Sequence, residues 1–257
     1  MFSTGKTINA NGATLFVAEA GNPAGHPIVL LHGGLGTRND FLPLAENLAA
    51  DYRLIAIDSR GHGSSTLGNG LLTYEHLAHD IELIMEICHL EHPFIIGHSD
   101  GGITAIRIAA AKRRTLAGIV LMMTHEDPPS RDLLDGIFAK LTPAIWRAKF
   151  PDEVALYERL NPVPDFDRLC KTVLEMWRDT GDGNYPGALV EQIDCPALIL
   201  GGEADHLVPT EVTIKLAHRI PGARLGILPF GSHIVFKTNP ERVAPYITEF
   251  IKTTLRT

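Results

Sequence analysis

The segment Phe94-Ile95-Ile96-Gly97-His98-Ser99-Asp100-Gly101-Gly102-Ile103-Thr104-Ala105-Ile106 constrains what this chain can fold into more than any other. It opens as a short apolar run of strand character, passes through G-x-S-x-G, and continues as an Ala/Ile-rich run of helical character. A strand, a serine and a helix in so few residues require a very tight turn. The two ends of that turn nearly touch, so a Cβ at Gly97 or Gly101 would clash. Ser99 must then hold a strained backbone, and such strain is usually kept where it serves function. Its hydroxyl stands at a helix N-terminus, where free N–H groups and the dipole favour negative charge. The bare pattern also occurs in glycine-rich turns with no chemical role. A base, an acid and an oxyanion-binding loop must therefore come from elsewhere in the chain.

Strand and helix patterns alternate along the rest of the sequence. Residues 4–20 read as two strands about the turn Asn11-Gly12. Pro27–Leu31, Arg53–Ile57, the run before Ser99, Ala117–Met122, Ala197–Gly201 and Arg224–Leu228 read as the next strands. Most are continuous apolar runs, as expected of strands covered on both faces. Residues 38–50, Thr73–His89, the run after Ser99, the stretch from Thr210 and that from about Pro240 read as helices. The rhythm breaks once. Residues 124–190 carry both tryptophans, Trp146 and Trp177, each expected to pack this segment or to face substrate, and the segment reads as several helices with no buried strand. The expected class is α/β, a mostly parallel sheet of about eight strands with helices on both faces. Residues 1–123 and 191–257 are expected to form the core. Residues 124–190 would be a helical cap inserted after the sixth strand, over the strand ends where ligands bind in open α/β sheets.

With 257 residues, 45% of them hydrophobic, the chain can bury one large core. A formal charge of −7 argues against nucleic acid as a partner, and Lys112-Arg113-Arg114 reads as a solvated helix end. Three cysteines, Cys88, Cys170 and Cys195, without C-x-x-C spacing fit a reducing compartment. The N-terminal residues lack a signal-peptide pattern, and no apolar run approaches membrane-spanning length. The expectation is a cytoplasmic protein, monomer or homodimer, with a small-molecule substrate and neither nucleic-acid nor membrane partner. Of the twelve histidines, His76 and His79 share a helix face, but no third ligand has suitable spacing. Neither a metal nor a cofactor is expected.

Three chemically capable residues follow predicted strands and should share one sheet edge. They are Ser99, Asp205 in Gly201-Gly202-Glu203-Ala204-Asp205-His206-Leu207-Val208-Pro209, and His233 in Pro229-Phe230-Gly231-Ser232-His233. A serine hydroxyl needs a base to become a nucleophile at neutral pH. An imidazole supplies one, and a buried carboxylate fixes its tautomer. His206 lies too close to Asp205 in sequence to suit the role of base. Asp58 ends a strand as a rival acid, but Arg60 and the adjacent turn would give it structural partners.

In these residues, together with His32-Gly33-Gly34 and Asp58-Ser59-Arg60-Gly61-His62-Gly63-Ser64, the chain resembles the α/β-hydrolase fold superfamily across nearly its whole length. The run Ser99–Ala105 is most similar to the elbow of valacyclovir-hydrolase-like and proline-iminopeptidase-like members. The resemblance implies a Ser99-His233-Asp205 triad acting through an acyl-enzyme. The oxyanion donors it implies are the backbone N–H groups of Asp100 and Gly34, with Leu35 as the alternative to Gly34. Carboxylic ester hydrolysis is the leading expectation. Aminoacyl ester or peptide hydrolysis, carbon–carbon bond hydrolysis and perhydrolysis stay open on the same triad, as does a non-catalytic ligand receptor. An elbow serine disfavours haloalkane dehalogenase and epoxide hydrolase chemistry, which use an aspartate there. The candidate substrate contacts are Leu35, His98, Asp100, His125 and Glu126. Asp100 would either pair with a substrate ammonium or make a local salt bridge or cap. His98 would touch substrate or pack under the site. His125 and Glu126 would line a pocket or pack a hinge. His32 is expected to bond the oxyanion loop.

Overall fold

Asn11 and Gly12 take positive φ values of 46° and 83°, the backbone of a tight hairpin turn. They fold β1 (Lys6–Ala10) back on β2 (Ala13–Gly21) in this computed structural model, which describes residues 1–256. The remaining strands are β3 (His26–Leu31), β4 (Tyr52–Ile57), β5 (Phe94–His98), β6 (Gly118–Met122), β7 (Ala197–Gly202) and β8 (Arg224–Leu228). They join one eight-stranded sheet in the order β1-β2-β4-β3-β5-β6-β7-β8. Only β1 with β2 and β2 with β4 run antiparallel. The longer helices are α1 (Leu42–Leu48), α2 (Tyr74–Ile87), α3 (Asp100–Ala111), α4 (Pro143–Lys149), α5 (Pro151–Leu160), α6 (Phe166–Arg178), α7 (Thr210–Arg219) and α8 (Ala244–Thr254).

The period of two along each strand divides the core. Val29, Leu31, Ile55, Ile57 and Ile95 point to one face, where α2, α3 and α7 cover them with Ile81, Ile84, Ile106, Leu216 and others. Ile28, Leu30, Leu54, Ala56 and Ile96 point to the other, covered by α1 and α8 through Leu44, Leu48, Ile247 and Phe250. The central strands are apolar at successive positions because both of their faces are roofed.

Between β6 and β7 the chain forms helices and no strand. Val154, Tyr157, Phe166, Leu169 and Val173 of α5 and α6 build a third apolar cluster, closed by Leu35, Tyr74, Leu77 and Ile103 from the sheet-bearing part. The helical excursion therefore sits on the loop after β3 and on the starts of α2 and α3. Its tryptophans do not pair with each other. The ring contacts are Trp146 with Phe150 and Trp177 with Phe138, centroids 4.7 and 5.1 Å apart.

The helix expected from residue 38 is present in two parts, and one expected pairing needs correction. Residues 38–50 begin as a 3₁₀ turn, Arg38–Phe41, fixed by a Thr37/Asp40 capping box, before α1 starts. Asp58, fully buried, pairs not with Arg60 but with Arg38, whose N–H and guanidinium both donate to it. Arg60, 2% exposed, instead reaches α2 and grips Asp80 with Nη2 and Nε at 2.8 and 2.9 Å. It also donates to the carbonyls of Ala10 and Asn11. The basic run ending α3 is spent on ion pairs, with Lys112 to Asp194 at 2.8 Å and Arg113 to Glu82 at 2.9 Å. No helix among the described residues is long and apolar enough to cross a membrane.

Candidate active site

Ser99 follows β5 with φ 49° and ψ −118°, outside the regions open to ordinary L-residues, a strain of about 1–3 kcal/mol that surrounding structure must hold. It is held from both sides. Ser99 N–H donates to Met122 O at 3.0 Å, and Thr124 Oγ1 donates to Ser99 O at 2.8 Å. A Cβ on Gly97 would run into the Gly101 carbonyl, and one on Gly101 into that of Leu31, so the strand and helix are in backbone contact. Asp100 begins α3, and its N–H lies among the helix N-terminal donors that have no intrahelical acceptor.

Asp205 lies just past β7 and is 5% exposed. One carboxylate oxygen, Oδ1, accepts from Leu207 N–H at 2.8 Å and Val208 N–H at 3.0 Å. The other, Oδ2, accepts from His233 Nδ1 at 2.8 Å. With the proton on Nδ1, the basic nitrogen of His233 is Nε2. Among the described residues no hydrogen bond joins Nε2 to Ser99 Oγ. Contacts of this kind commonly close only around bound substrate. His98 is 6% exposed and donates from Nε2 to the His233 carbonyl at 2.8 Å, its ring 4.8 Å from that of His233. It packs against His233 and holds its loop. Burial, and then the neighbouring charge of His233, hold its pKa well below the usual range.

The loop after β3 is moored by two imidazoles. His32 donates from Nδ1 to Gly33 O at 2.7 Å and accepts Ser59 N–H on Nε2 at 3.0 Å. His62 donates from Nδ1 to Arg60 O at 2.9 Å and accepts Leu35 N–H on Nε2 at 3.0 Å. The Leu35 N–H is thus committed to His62. His62 carried no distinctive sequence signal beyond its place in the Gly61-His62-Gly63 turn. Burial, and then the charge of His32, push its pKa down to about 3.

That shift sets a pH dependence. Folded His62 stays neutral where an unfolded histidine takes up a proton, below about pH 6.5. The unfolded state binds more protons between pH 6.5 and 3, so this part of the stability is intact above that window and is lost as pH falls through it. His62 alone should cost about 2 kcal/mol on going from pH 7 to 5, and His98 and His125 shift in the same direction. Urea midpoints measured at both pH values check this. In a His62→Gln variant the decline should be shallower, and an identical slope would refute the assignment.

Asp100 makes neither a local salt bridge nor a cap. Its buried carboxylate accepts from Tyr74 Oη and Trp177 Nε1, each at 2.8 Å. Burial raises its pKa, and these two donors oppose the rise. A Cβ on Gly34 would overlap both this carboxylate and the Trp177 ring, so the indole lies across the loop after β3. The contact of Trp177 with Asp100 has no sequence signal, because the two lie 77 positions apart. Glu126 is 1% exposed and paired with Arg219 at 3.1 Å and Lys215 at 3.8 Å, so its charge is already compensated. His125 stacks on Tyr185 and donates from Nδ1 to Asp127 O at 2.6 Å. Among the described residues no group of His, Cys, Asp or Glu is arranged to hold a metal.

Residues 28–246 match the sequence profile of the Alpha/beta hydrolase family. "Serine hydrolase BPHL" of Mus musculus is 32% identical over 90% of this chain and 80% of its own length. The "Putative non-heme chloroperoxidase" of Synechocystis is 27% identical over 94% of this chain and 97% of its own. Among solved structures, the enol-lactonase from Burkholderia xenovorans LB400 superposes with a TM-score of 0.79 at 22% identity, covering 96% of this chain and all of that one, a likeness of fold. The eight-stranded sheet, its strand order and the profile match agree, and the chain belongs to the alpha/beta hydrolase family.

Proposed function

We propose that the protein is a serine hydrolase of small carboxylic esters. One observation carries the reading: a strained serine at a helix N-terminus shares a sheet edge with an imidazole anchored to a buried carboxylate. Ser99 Oγ attacks the ester carbonyl carbon and passes its proton to His233 Nε2, while Asp205 stabilises the imidazolium. The Gly34 and Asp100 N–H groups receive the oxyanion, each such donor contributing about 2.7–4 kcal/mol to the transition state. The C–O bond then breaks, the leaving alcohol takes the proton from His233, and water cleaves the acyl-enzyme by the reverse proton path. The helical excursion, residues 124–190, serves as a cap over this edge. A panel of p-nitrophenyl esters, with fluorophosphonate labelling mapped to Ser99, tests the reading. Turnover with labelling supports it. Ligand binding with neither would favour a receptor.

A second reading, hydrolysis of α-amino acyl esters, is favoured by Asp100, a buried carboxylate beside the nucleophile bonded only by neutral donors. A substrate ammonium would supply the missing cation. Asp100→Asn should then lower kcat/KM for an aminoacyl ester about 10–100-fold more than for the matching ester lacking the amine, as expected for one charged hydrogen bond. Equal losses on both esters would confine Asp100 to a structural role.

A further inference from the structure

A cavity of about 460 Å³ opens between the first turns of the helical excursion and the segment running from the Asp205 loop into α7. Its size falls within the roughly 300–1,000 Å³ of small-molecule sites. Its walls are mainly apolar, with Pro128, Leu133, Ile137, Leu207, Pro209 and Val212, and Ser130 and Asp132 stand among the polar groups that complete them. The charges at its rim are largely matched: Lys215 pairs with Asp127 and Glu126, and Arg219 with both. Such a space selects an uncharged, mainly apolar group.

Its position relates it to the acid–base pair. His206 and Leu207, both in its wall, directly follow Asp205, and Leu207 N–H itself bonds the Asp205 carboxylate. His125, in the opposite wall, lies within electrostatic reach of both His233 and Asp205. Beside the nucleophile, Tyr74 and Trp177 close on Asp100 and the indole lies against Gly34. The two parts of an ester are therefore offered unlike surroundings.

Chemistry decides which part goes where. When the tetrahedral intermediate collapses, the carbonyl re-forms, the C–O bond to the alcohol breaks, and that oxygen takes its proton from His233 Nε2. The alcohol must leave on the His233 side. We propose that the cavity between the excursion and α7 is the leaving-group site, and that it takes the uncharged aromatic or branched alcohol portion of the ester. This rests on the serine-hydrolase reading above. His125 adds a polar handle: with Nδ1 donating to Asp127 O, its Nε2 is an acceptor for a hydroxyl or amide N–H carried by the alcohol.

The test fills the cavity and varies the two halves of the substrate separately. Wild type and Val212→Trp are compared on ethyl, phenyl and 2-naphthyl acetate, then on phenyl esters of increasing acyl length. Binding of 2-naphthol to both proteins and to Ser99→Ala is measured by calorimetry, and circular dichroism confirms folding. The expected result is a kcat/KM loss for 2-naphthyl acetate at least about ten-fold greater than for ethyl acetate, the discrimination typical of a filled apolar pocket. The acyl series should keep its ranking, and 2-naphthol should bind wild type and Ser99→Ala but not Val212→Trp. Leu133→Trp, filling the cavity from the other wall, should reproduce the pattern if Val212→Trp misfolds. Equal losses across the alcohols, or a shift confined to the acyl series, would overturn the assignment while leaving the hydrolase reading intact. Naphthol binding that Val212→Trp abolishes, without turnover of any ester by wild type, would overturn the hydrolase reading and the leaving-group role with it.

Discussion

On the serine-hydrolase proposal, replacing Ser99 with alanine should lower kcat on ester substrates by about 10⁵–10⁶-fold, the scale seen when the nucleophile of a catalytic unit is removed. The residue sits where no neighbour can replace it. Its strained turn aims one hydroxyl at the sheet edge, and His98 before it and Asp100 after it are buried and hydrogen-bonded elsewhere. Alanine keeps the Cβ, so the elbow should persist and KM should change little. The oxyanion donors and His233 would remain, leaving a residual rate above water. Steady-state kinetics on protein purified free of wild type, with loss of fluorophosphonate labelling, check the prediction. Activity within a hundred-fold of wild type would remove Ser99 from the role of nucleophile.

The second large effect is on stability. Asp80→Leu should cost about 3–5 kcal/mol, because it leaves the Arg60 guanidinium buried without its counter-ion. For a chain of this size the thermal midpoint should drop by on the order of 10 °C. The double variant Arg60→Met/Asp80→Leu should recover much of the loss, since replacing both members of a buried pair by apolar groups is far less costly than breaking it. Denaturant titration of the single and double variants measures the coupling, and additive losses would show that the two charges do not depend on one another. The pair also has a link to the site. Arg60 belongs to the turn whose next two residues include His62, and His62 holds Leu35 in the loop after β3. Weakening this anchor should lower kcat at temperatures well below unfolding.

The legible parts of the sequence were those with local signatures. The strands announced themselves by unbroken apolar runs, and the glycines flanking Ser99 by the steric demand of the elbow. Asp205 and His233 were named from their places after strands, and they do meet, 28 residues apart. What stayed hidden depends on contacts without sequence proximity. Nothing about Arg38 marks it as the partner of Asp58, and the nearer Arg60 was the wrong choice, because its side chain runs to Asp80 on α2. Trp177 and Tyr74 come to Asp100 from separate helical regions. The hydrogen bond that spends the Leu35 N–H on His62 is likewise one that spacing does not reveal.

The carboxylate of Asp100 ties residues 74, 100 and 177 together beside the nucleophile. The carboxylate lacks its indole donor whenever the excursion is not docked. The surroundings of Ser99 are thereby complete only when a segment 77 positions away is in place, so chains with the excursion undocked would carry the serine without a finished site around it. The same knot limits modular exchange. An excursion transplanted from a relative would have to bring an N–H donor to the position of the Trp177 indole, or leave a buried charge half-solvated next to Ser99.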